Sequence, residues 1–71
     1  MTNEEIAANM SAGARRAFLA FTDEWQAPGK NTFNWSGAQQ AVKQAPEHCE
    51  YAAIKFGRQK YARGAYRLKQ S

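Results

Sequence analysis

The sequence predicts an α+β fold: two to three short helices followed by a C-terminal β-hairpin. Three observations carry this reading. Apolar residues recur at helical spacing through the first two thirds of the chain, and the period shifts towards two after Tyr51. Pro28, Gly29 and Pro46 fall between the periodic runs as turn residues. Seventy-one residues make one domain, 1–71. A chain of that size hides only about 60% of the surface it exposes when unfolded. A hydrophobic content of 44% is still enough for a folded core.

Thr2 or Asn3 can cap a first helix, placing Glu4 and Glu5 in the first turn, where carboxylates favour the positive end of the helix dipole. Ile6 and Met10 share its face. Ser11 and Gly13 then mark a break and restart. The second segment, SAGARRAFLAFTDEW, repeats apolar residues at Ala14, Ala17, Phe18, Phe21 and Trp25, an amphipathic stripe predicted to run to Trp25. Ser36 is the expected N-cap of a third helix carrying Ala38, Ala41, Val42 and Ala45, stopped by Pro46. Phe18, Phe21, Phe33, Trp25 and Trp35 are assigned to the core, because so small a domain has few other bulky side chains.

Beyond Pro46, the favoured reading is two strands, 51–56 and 61–69, joined by GRQK. A helix over 46–57 is the alternative, since Cys49, Ala52, Ala53 and Phe56 also share a helical face. In the hairpin, Ala52, Ile54 and Phe56 are expected to point inwards with Ala62, Tyr66 and Leu68. Lys55, Arg63, Arg67 and Lys69 are expected on the other face, with Tyr51 and Tyr61.

Catalytic chemistry finds little support. Glu47 to Glu50 gathers the only His and the only Cys beside two carboxylates, but adjacent residues diverge and the spacing is not that of zinc ligands. The plainer expectation is a helix start at Pro46 with Cys49 buried as a small apolar residue. No nucleophile elbow, Walker-type loop or dinucleotide fingerprint occurs. No catalytic residue, metal or cofactor is therefore assigned, and the expectation is a protein that is not an enzyme. A single cysteine fits a reducing compartment, and neither a signal peptide nor a membrane span is legible, so a cytoplasmic location is expected.

Charge is unevenly spread. Residues 1–30 carry three bases against four acids, and residues 31–71 carry seven bases against Glu47 and Glu50. Six bases and no acid follow Glu50. Such a tail, interleaved with tyrosines, suits nucleic acid or an acidic protein, though a solvated strand face has the same composition.

Two helices, a Ser36-capped third helix and a hairpin ending in RGAYRLK resemble a winged-helix domain from Ser11 to Lys69, in which a Tyr-Arg-Leu type triplet follows the wing. The resemblance implies a DNA-binding repressor or accessory factor. Gln39, Gln40, Lys43 and Gln44 would be displayed by the recognition helix, and Arg58, Lys60, Arg63 and Arg67 by the hairpin. By size and lack of catalytic chemistry the chain also resembles small phage regulators that bind host RNA polymerase. That resemblance implies a monomer with residues 1–10 as a separate docking segment. Ile6 and Met10 would anchor in a groove on the protein partner, and Arg15 and Arg16 would meet acidic residues. The sequence favours this regulator slightly, because the recognition helix holds only one base, Lys43.

Overall fold

The computed structural model describes residues 2–69. Three helices, α1 (Asn3–Ala7), α2 (Ala12–Ala20) and α3 (Trp35–Gln44), precede an antiparallel hairpin of β1 (Cys49–Ile54) and β2 (Arg63–Leu68). This is the predicted α+β order, and it is compatible with a winged-helix-like scaffold.

Local chemistry sets the helix ends. The Thr2 hydroxyl accepts the Glu5 N–H while the Glu5 carboxylate accepts the Thr2 N–H, a complete capping box. The chain restarts at Ser11, as the sequence suggests, but the Ser11 hydroxyl caps nothing in its own helix. It donates instead to Gln40 Oε1 of α3 at 2.9 Å, and the Ser11 N–H donates to Gln44 Oε1 at 3.0 Å. α3 begins earlier than expected. Asn34, an equally good cap, accepts the Ser36 N–H at 3.0 Å, so Ser36 lies inside the helix.

α2 stops at Ala20 rather than reaching Trp25. Thr22 turns the chain by accepting the Glu24 N–H, and its carbonyl accepts the Leu68 N–H at 2.8 Å. Gln26 then exchanges both backbone bonds with Tyr66. Long-range pairing thus captures residues that helical periodicity alone would extend. It also makes β2 bonded along both edges.

α2 and α3 cross where both are small. A Cβ on Gly37 would lie 2.6 Å from the Gly13 carbonyl oxygen, so only glycine permits this approach. Ala14, Ala17, Ala38 and Ala41 fill the rest of the crossing, and Phe18, Phe21, Phe33 and Tyr66 close the core beneath. Phe21 stacks on Tyr66 with ring centroids 5.9 Å apart, and Phe33 meets both edge-on.

The hairpin forms, and the helical alternative for 46–57 does not: residues 46–48 are a turn, and Cys49 starts β1, buried. The face assignment changes. Ile54 lies opposite Arg63 and Cys49 opposite Leu68, so even-numbered residues of β1 share a face with odd-numbered residues of β2. Ala52 and Ile54 therefore stand with Ala65, Arg63 and Arg67, while Tyr66 and Leu68 stand with Tyr51 and Cys49. The expected segregation of apolar from basic side chains fails because this register joins opposite parities. Adjacent Ala65 and Tyr66 are both buried, so the centre of β2 is covered on each face. Among the large aromatics, Trp35 and Trp25 depart from the expected core: Trp35 is 59% exposed, and Trp25 is half-buried outside the core cluster, against the Arg67 guanidinium.

Candidate nucleic-acid interface

The connection between the strands, residues 55–62, turns at Gly57, whose φ of 56° lies in the left-handed region open to glycine. The Gln59 N–H closes the turn on the Phe56 carbonyl at 3.0 Å. Lys55, Arg58, Lys60 and Arg63 are all exposed on this tip or its base. None has an acidic partner, since the single ion pair among the described residues is Arg67 with Glu50. Tyr61 is 72% exposed, and the Lys60 ammonium lies 5.7 Å from its ring centroid. The structure thus brings Arg58, Lys60 and Arg63 together as an uncompensated cationic tip.

Arg67 belongs elsewhere. Its Nε donates to Glu50 Oε2 at 2.6 Å, and its guanidinium lies 4.3 Å from the Trp25 ring centroid. Cross-strand pairing of Glu50 with Arg67 and the loop carrying Trp25 hold it in place. It is a clip between the hairpin and the 21–26 segment, occupied on both sides, and only a third exposed. Sequence reasoning missed this clip. Reading the strand register would have found it, because Glu50 falls opposite Arg67.

On α3, Lys43 is exposed and lines a cleft of about 270 Å³ with Gln39, Val42, Tyr51 and Tyr66. The Tyr66 hydroxyl at its floor is buried with no hydrogen-bond partner, the Gln39 amide lying near without completing one. Burial, then the neighbouring Tyr51, raises the Tyr66 phenol above its ordinary range, against the pull of Gln39. Gln40 is exposed, but its carbonyl oxygen is taken by Ser11. It joins α3 to α2.

The residues read as a docking segment are spent mostly inside the fold. Met10 is buried and Ile6 packs half-buried against the core. Arg15 donates to the Ala7 and Met10 carbonyls, both at 3.3 Å, so it closes the end of α1. Arg16 alone of the four stays exposed without a protein partner, and it lines a groove between α2 and α3.

The His48 and Cys49 neighbourhood does not converge. Among the described residues no group of three or more His, Cys, Asp or Glu side chains is placed to hold a metal. The Cys49 thiol donates towards the Ala45 and Ala41 carbonyls at 3.3 and 3.5 Å. Burial pushes it up to about 11, against the nearby charge of Lys69. Such a thiol is a poor nucleophile. Among the described residues no helix is long and apolar enough to cross a membrane.

No protein-family model, curated protein or solved structure matches this chain.

Proposed function

We propose that this chain is a non-enzymatic transcription regulator that contacts duplex DNA through the hairpin tip, on a winged-helix-like scaffold. The observation that carries the reading is the cluster of Lys55, Arg58, Lys60 and Arg63, exposed and without acidic partners. Cations placed in this way neutralise phosphates and release counterions, giving affinity that falls steeply with salt. Lys43 on α3 would add one contact, and Tyr61 a planar surface beside the phosphates.

The test is a salt titration of duplex binding by the intact chain and by Arg58→Ala/Lys60→Ala/Arg63→Ala. The slope of log affinity against log salt should shallow by roughly 0.9 for each phosphate that the variant no longer neutralises. An unchanged slope would remove the reading.

A second reading, docking on a protein of the transcription machinery such as host RNA polymerase, has its own support. Ile6 and Leu19 leave apolar surface exposed on the helical side, Leu19 at 47%. Under this reading Ile6→Glu/Leu19→Glu abolishes co-purification of the polymerase with the intact chain, and the triple hairpin variant retains it.

A further inference from the structure

The groove between α2 and α3 is lined by Arg16 from α2, Lys30 and Phe33 from the connecting loop, and Trp35 and Gln40 from α3. It is open to solvent, encloses about 890 Å³, and receives no residue from β1, β2 or the hairpin tip. Its two cations have no acidic partner, and no Asp or Glu lines it. Trp35 stands at its edge with more than half its surface in water. A bulky indole exposed to this degree, in a chain that buries three of its four phenylalanines, is surface available to a planar partner.

We propose that this groove binds single-stranded nucleic acid, with a base stacked on Trp35 and flanking phosphates held by Arg16 and Lys30. The commitment to a nucleic acid rests on charge and ring together. Cations without intervening acid attract any polyanion, and the accessible indole face selects one that carries flat rings. An open groove takes a strand passing through it, where a closed pocket of this size would take a small molecule. This site is independent of the hairpin tip and differs from it in substrate: a single strand here, a duplex there.

The experiment titrates the intact protein with a short thymidine oligomer, a uridine oligomer and a duplex, following tryptophan fluorescence and oligomer anisotropy. Trp25→Phe leaves Trp35 as the reporter. Both oligomers are expected to quench it, and the tighter of the two shows whether DNA or RNA is preferred. Trp35→Ala should weaken oligomer binding about tenfold or more, the typical loss of one base-stacking ring. Arg16→Ala/Lys30→Ala should weaken it and shallow its salt slope by roughly 0.7 per phosphate. Arg58→Ala/Lys60→Ala should leave the oligomer affinity in place while lowering that for the duplex. Circular dichroism checks that each variant is folded. Trp35→Phe, which keeps a ring and the helix start, should retain most of the affinity. Oligomer binding unaffected by both Trp35→Ala and Arg16→Ala/Lys30→Ala overturns the proposal. So does loss of oligomer binding in the hairpin variant alone, or equal displacement by poly-glutamate, which would make the partner an acidic polypeptide.

Discussion

At the scale of single residues, the two helical glycines at the α2–α3 crossing make opposite predictions. A methyl on Gly37 would press against the Gly13 carbonyl at 2.6 Å, where neither backbone can retreat without separating the helices. Gly37→Ala should therefore cost about 1–3 kcal/mol, as overpacking does. A methyl on Gly13 meets only Gln40 Oε1 at 3.9 Å, an ordinary approach distance. Gly13→Ala should gain up to about 1 kcal/mol from helix propensity. Urea denaturation of the two variants checks both signs.

Cys49 supplies a pH dependence whose sign follows from its burial. The folded thiol holds its proton up to about 11, whereas the unfolded thiol releases it from about 9. The folded state binds more protons in that window, so this contribution is complete below pH 9 and is lost as pH rises to 11. It amounts to about 2–3 kcal/mol on the linkage relation. Cys49→Ala should lose less stability than the native chain between pH 9 and 11, measured by urea midpoints at each pH. Alkylation of the native thiol at pH 8 should be slow until denaturant opens the fold.

At the scale of elements, the Arg67 clip joins β1 through Glu50 and the 21–26 segment through Trp25. Both ion-pair partners are about one third exposed, so water screens much of the attraction. Arg67→Ala should cost about 1–2 kcal/mol, part from the pair and part from the stacking on Trp25. It should shift Trp25 emission and leave the salt slope of duplex binding unchanged, which separates it from Arg58, Lys60 and Arg63. The same contrast shows what was legible in the sequence. Periodicity and turn residues revealed the helices and the hairpin because those signals are local. The end of α2 was not legible, since Leu68 and Tyr66 compete for the backbone of Thr22 and Gln26 from a distant part of the chain. Nor were the faces of the hairpin, which depend on a register that strand alternation leaves open. At the candidate site, the basic tip could be read from composition. The internal uses of Met10, Arg15, Gln40 and Arg67 could not, because each depends on a carbonyl, carboxylate, hydroxyl or apolar surface supplied by another part of the chain.

At the scale of the whole molecule, stability should be graded from the centre of β2 outwards. Tyr66 and Leu68 bond to the 21–26 segment, while Lys69 bonds to His48 on the opposite side, so β2 is held along two edges. Tyr66 is also packed among Phe21, Phe33 and Tyr51. Residues 55–62 have none of this support. They extend beyond the paired strands, expose most of their side chains, and depend on a glycine turn. Local opening of such a segment costs far less than global unfolding, because it uncovers little buried apolar surface. Native-state hydrogen exchange should therefore find the amides of Gln26, Tyr66 and Leu68 exchanging only with global unfolding, and those of Arg58, Lys60 and Tyr61 exchanging fastest. If duplex DNA engages the tip, protection should rise at residues 55–62, whose opening breaks the contact, and also at Gln26, Tyr66 and Leu68, which report the binding free energy through global unfolding. Gains at Gln26, Tyr66 and Leu68 with none at residues 55–62 would instead mean that the tip opens without releasing the DNA, and would place the DNA away from it.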